Sequence, residues 1–157
     1  MRSPIGQSRF AKFLRLPTAE RWWAIEAFAW LGVARLAVLT IPFRRLAASL
    51  GIRQTSEDRQ TDSKAPLLPE LLRVARIIRQ VSNHTPWRSN CLAQALAGRG
   101  MLSRRGVAST LYFGVAKNEQ GELEAHAWLR SGETTVTGAT EIIRYAVVAR
   151  FADSPRT

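Results

Sequence analysis

The chain has 157 residues, 46% of them hydrophobic, which suits one globular domain with a core of its own and excludes a disordered chain. A single cysteine excludes an internal disulfide, and one cysteine with two distant histidines offers no zinc-ligand spacing, so no metal or cofactor is expected. The net charge of +11, carried mostly by arginine, favours an acidic partner such as nucleic acid, an anionic membrane surface or an acidic peptide, without choosing among them.

Residues 1–16 are basic and mixed, with Arg2, Arg9, Lys12 and Arg15, and read as a loosely ordered arm or a short helix. They hold no apolar run followed by a small-residue cleavage site, so a cytoplasmic location is expected. Pro17-Thr18-Ala19-Glu20 reads as a helix start with Thr18 as its cap. The segment from Arg21 to Thr40 is apolar, with Trp22, Trp23, Ile25, Phe28, Trp30, Leu31, Val33, Leu36, Val38 and Leu39, and Pro42 ends it. A spanning helix needs about 20 apolar residues with few charges. Glu26 and Arg35 weigh against a span here. The segment reads as a helix buried on most sides and as the best candidate docking surface, with a peripheral membrane contact as the other reading.

Phe43 to Gly51 predicts a short amphipathic helix closed by Gly51. The polar residues 52–66 form a linker and divide an N-terminal helical region (1–60) from a core (61–157). Leu67 to Asn83 predicts an amphipathic helix with Leu68, Leu71, Leu72, Ala75 and Ile78 on its apolar face. His84, beside the Pro86 turn, reads as a surface or capping residue.

Ser89 or Asn90 then caps a helix running to Arg99 or Leu102, with Leu92, Ala95, Leu96 and Met101 as its buried side and Gly100 as a point of bending. Cys91 falls in its first turn, where free backbone N–H groups and the helix dipole favour a thiolate. After Arg104-Arg105-Gly106 the period changes. Strands are predicted over Val107–Ala116, Leu123–Arg130, Thr134–Thr137 and Arg144–Phe151, with Glu141-Ile142-Ile143 as a connection. Helices first and adjacent strands afterwards predict an α+β fold with an antiparallel sheet.

A thiol at a helix start and a histidine on a neighbouring strand are the parts of a nucleophile and its base. Cys91 and His126 stand in that order, and backbone N–H groups near Cys91 suit an oxyanion hole. The bland alternative is two unrelated core residues in a non-catalytic scaffold that binds a protein or a membrane surface. Nucleic-acid binding is not expected, since Tyr112 and Phe113 are the only aromatic pair suited to a stacking platform.

The run Pro86-Trp87-Arg88-x-x-Cys91-Leu92-x-x-Ala95-Leu96, then Leu102-x-Arg104-Arg105-Gly106-Val107, Leu111-x-x-Gly114-Val115 and Ala125-His126-Ala127-Trp128, closely resembles the leader peptidases of lasso-peptide biosynthesis. These are transglutaminase-like cysteine proteases of bacteria. The Trp-rich helix, Pro42-Phe43-Arg44-Arg45-Leu46 and the ending Arg144-Tyr145-x-Val147-x-Ala149-Arg150-Phe151 also fit, so that the resemblance covers roughly residues 10–152. It implies a papain/transglutaminase-like core. It also implies removal of the leader peptide from a ribosomally made precursor, with Cys91 as nucleophile and His126 as base and then acid. Trp87 and Trp128 would wall the cleft. The implied partners are the precursor leader peptide, a separate small leader-recognition protein and an asparagine-synthetase-like lasso cyclase. Family members often carry an Asp twelve positions after the His; here Gly138 stands there, leaving Thr137, Glu141, Glu133, a backbone carbonyl or water to hold the ring.

Overall fold

The helix headed by Cys91 is the element on which the others pack. The computed structural model of the protein describes residues 17–50, 68–87, 90–140 and 142–153. The N-terminal arm, Gly51, the polar linker with the 60/61 boundary, Ser89 and Glu141 lie outside the described residues. In chain order the elements are α1 (Thr18–Thr40), α2 (Phe43–Ser49), α3 (Leu68–Ser82), α4 (Cys91–Ser103), β1 (Thr110–Lys117), β2 (Leu123–Ser131), β3 (Thr134–Thr137), a 3-10 turn (Ile142–Arg144) and β4 (Ala146–Ala152). The strands form one antiparallel sheet in the order β3-β2-β1-β4. This is the α+β arrangement predicted above.

Small residues let α4 sit at the centre. Ala93, Ala95, Ala97 and Gly98 are all buried. A Cβ at Gly98 would lie 2.9 Å from Leu129 Cδ2 of β2 and 3.3 Å from both Ile78 Cδ1 of α3 and Thr137 Cγ2 of β3. On another side, a Cβ at Gly100 would lie 2.5 Å from Trp30 Cε3 of α1. Gly100 does not interrupt the helix, which runs on to Ser103; it makes room for an indole. Leu92 and Leu96 are only half-buried, and the deeper side chains are Met101 and Leu102.

Arg105 ties three helices together. It meets Glu26 of α1 through Nη1–Oε1 at 3.0 Å and Nη2–Oε2 at 2.6 Å, a two-pronged geometry that suits a guanidinium. Its Nε lies 3.4 Å from Glu70 of α3, Nη1 also donates to Met101 O, and its plane covers the Trp23 ring at 3.9 Å. At the other end of the core, Arg99 Nη2 donates to Leu50 O after α2 and to Asp153 after β4, and Nη1 donates to Phe151 O.

Four further sequence expectations change. Thr18 is the first helical residue and Pro17 takes the cap position, because Arg21 N–H bonds Pro17 O and no side chain caps α1. On α3 the buried stripe is Leu71, Val74, Ile77 and Ile78, while Leu68 and Leu72 are exposed, because this helix docks across α1, α4 and β3 together. The last strand begins at Ala146, since Tyr145 N–H closes the preceding 3-10 turn on Ile142 O. α1 is not buried on most sides: only Ala27, Leu31 and Ala34 are, and Trp22, Ile25, Val33, Leu36 and Leu39 are exposed.

Replacing a glycine inside a helix by alanine ordinarily stabilises it by up to about 1 kcal/mol. At Gly100 the Trp30 ring occupies the space. Gly100→Ala is therefore expected to destabilise the protein by about 1–3 kcal/mol, read as a lower urea midpoint.

Candidate active site

Asn90 sets the head of α4. Its side-chain Oδ1 accepts from Ala93 N–H at 3.0 Å, and its backbone carbonyl accepts from Gln94 N–H at 3.0 Å. Asn90, of the two predicted caps, thus holds the cap position, and Cys91 is the first helical residue and is half-buried. The amides of Cys91 and Leu92 take no part in these two cap hydrogen bonds.

The direction of α4 follows from its exit. Val107 N–H still bonds Leu102 O, and the chain enters β1 at Thr110, opposite Arg130 near the end of β2. α4 therefore runs along β2 in the same direction. From the Gly98–Leu129 contact, Cys91 lies about 10 Å back along the helix and His126 about 10 Å back along the strand, at rises of ~1.5 and ~3.3 Å per residue. Along these two axes the residues stand at a similar level, but the alternation from Leu129 turns the His126 side chain to the face of β2 away from α4. β3 pairs with β2 only at Leu129, Arg130 and Ser131, so at this level the β3-side edge of β2 has no ladder partner among the described residues.

His126 is held by backbone. Its Nε2 lies 2.9 Å from Gly138 O. A carbonyl only accepts, so Nε2 carries the proton and Nδ1 is left as the basic nitrogen. Two rings fix the plane of the imidazole: Tyr145 at 4.9 Å and Trp128 at 5.9 Å, both stacked. Trp128 in turn stacks on Tyr112 of β1 at 5.6 Å. Strand alternation puts these side chains on the face opposite Leu129, which faces α4. Among the described residues, no hydrogen bond joins the Cys91 thiol to the imidazole.

Gly138 explains its own identity. Its φ is +71°, and a Cβ there would lie 2.6 Å from Ala127 O and 2.8 Å from Trp128 Cβ. The backbone presses directly onto β2, so an aspartate at this position has no room, and the main-chain carbonyl does the orienting. Thr137, one residue earlier, points its methyl toward α4, and its buried Oγ1 has no hydrogen-bond partner. Glu133 is exposed beside Arg130, and Glu141 lies outside the described residues.

The two cleft candidates separate. Trp128 belongs to the histidine cluster and is buried. Trp87 turns to α1 instead, with its ring 5.2 Å from Phe28 and against Gly32. His84 donates to or accepts no group of this site: its Nδ1 bonds Gln80 O at 2.7 Å, at the end of α3. Sequence reasoning missed Tyr112, Gly114 and Tyr145. The available signal was Gly114 in the middle of a predicted strand, which marks close approach. A Cβ there would lie 2.8 Å from both Trp128 Cζ3 and Tyr145 Cβ.

The family model of the transglutaminase-like superfamily matches residues 37–150, which include Cys91, His126 and the whole sheet except the end of β4. No curated protein and no solved structure matches the chain.

Gly138→Ala is expected to cost about 1–3 kcal/mol of stability, because it strains a left-handed backbone and pushes the turn off β2. In a histidine NMR spectrum it is expected to remove the Nε2–H tautomer signature of His126. An unchanged spectrum would mean that the Gly138 carbonyl does not set the tautomer.

Proposed function

The chain belongs to the transglutaminase-like superfamily, and from that membership we propose that it is a cysteine peptidase that removes the leader peptide from a lasso-peptide precursor. The superfamily includes cysteine-dependent enzymes, and the fold suits such chemistry. What supports the reading is the superfamily match over both Cys91, at the capped head of α4, and His126, whose Gly138 bond leaves Nδ1 free to accept a proton. The sequence resemblance around Cys91 and His126-Ala127-Trp128 supplies the substrate class.

In the proposed reaction, Cys91 Sγ attacks the scissile carbonyl and its proton passes to His126 Nδ1. The imidazolium forms a charge that the Gly138 carbonyl and the stacked rings accommodate. Collapse of the tetrahedral intermediate breaks the C–N bond, and the departing amine takes the proton from His126. Water, deprotonated by the same nitrogen, then hydrolyses the thioester and returns the thiol. The amides of Cys91 and Leu92 at the helix head are the groups suited to the oxyanion. This step requires thiol and imidazole to come within about 3 Å, so the ring, which starts on the face of β2 away from α4, has to reach the thiol around the open edge of that strand. A small leader-recognition protein would present the precursor, and an asparagine-synthetase-like cyclase would use the product.

The test is leader release from the precursor in the presence of the recognition protein, followed by mass spectrometry. Cys91→Ala and His126→Ala are each expected to lower the rate by about a thousandfold or more. Cleavage by Cys91→Ala at the unmodified rate would sink the mechanism. Cleavage lost only in Cys91→Ala, with His126→Ala fully active, would assign the base elsewhere.

A further inference from the structure

α1 carries large apolar residues on both its inner and its outer face, and both need cover. The inner face is covered within the chain. Trp23 lies under Arg105, Trp30 lies on Gly100, and Ala27 and Leu31 are fully buried. The outer face is not. Trp22, Ile25, Val33 and Leu36, with Ala29 between them, recur every three or four residues on one stripe. Their exposures are 71%, 48%, 58% and 63% for the four large side chains, and Leu39 beside them is 65% exposed.

The stripe from Trp22 to Leu39 is about 26 Å long at ~1.5 Å per residue and carries no charge. Glu26 is turned away to Arg105, and Arg35 stands half-buried at the flank. Directly beyond its C-terminal end come Ile41 and Phe43, both exposed, and then Arg44 and Arg45, also exposed. An uncharged stripe bordered by arginines, on a chain of net charge +11, is complementary to a surface that is apolar inside and anionic outside.

We propose that α1 lies in the plane of an anionic membrane surface, its outer face in the headgroup–acyl boundary and its inner face still docked on α4. By length and composition alone the helix could cross a membrane. A crossing would strip Trp23, Trp30 and Glu26 from their partners and carry Glu26 and Arg35 into lipid. Lying flat keeps both. The exposed stripe precedes the superfamily match, which begins at residue 37, except for Leu39, so the surface is a feature of this chain's own first helix. Membrane attachment is independent of the peptidase reading.

The experiment is flotation of the full chain with phosphatidylcholine vesicles, with and without phosphatidylglycerol. The protein is expected to float with the anionic vesicles and to remain behind with the neutral ones. Val33→Glu combined with Leu36→Glu is expected to lower the bound fraction tenfold or more, and Leu36→Ser with Leu39→Ser serves the same purpose if the acidic pair fails to fold. Arg44→Gln and Arg45→Gln are each expected to weaken binding about fivefold, from ~1 kcal/mol per basic residue near the surface. No flotation with anionic vesicles, equal flotation with both kinds, or unchanged flotation of the stripe variants would each overturn the proposal. A concentration-dependent dimer abolished by the same stripe variants, without flotation, would assign the face to a second copy of the chain instead.

Discussion

Close approach to α4 is the constraint on which the rest of the structure depends. An indole from α1 and a leucine from β2 both occupy space beside this helix's backbone that a side chain would fill, and they do so at Gly100 and Gly98. Any side chain at either position would push a neighbour outward. Two glycines weaken the helix locally, but the packing they permit places α4 between α1, α3 and the sheet. Cys91 at its head is positioned by everything that grips its body.

Arg105 completes that grip from the far end. Its guanidinium binds Glu26, covers Trp23 and reaches Glu70, so the C-terminal turn of α4 is tied to two other helices at once. Breaking the pair from one side would leave a largely buried charge without its partner, which is costlier than never having formed it. The N-terminal helix is in this sense part of the packing around the candidate site, and its remaining exposed face is the one surface it does not use internally.

Around His126 the backbone takes a role usually given to a side chain. Gly138 carries no carboxylate, yet its carbonyl fixes the proton on Nε2, and the left-handed turn that permits this also excludes any larger residue. A carbonyl is a weaker electrostatic partner for an imidazolium than a carboxylate. Tyr145 and Trp128 contribute what the hydrogen bond alone does not, a fixed ring plane.

The order of helices and strands, the α+β class and a Ser89 or Asn90 cap before Cys91 were legible in the chain, because they rest on local periodicity, turn residues and capping chemistry. That Gly138 is an orienter was open only as one possibility among several, since a backbone carbonyl has no signature in a sequence. Of the aromatic partners, Tyr112 comes from a paired strand opposite Trp128 and Tyr145 from the turn just before β4, against Gly114; both placements depend on long-range register. The same holds for α1. Its apolar residues announced a contact but not which of its faces would make it; that was decided by Trp30 finding Gly100 and Glu26 finding Arg105, residues about seventy and eighty positions away along the chain and adjacent only once the fold has formed.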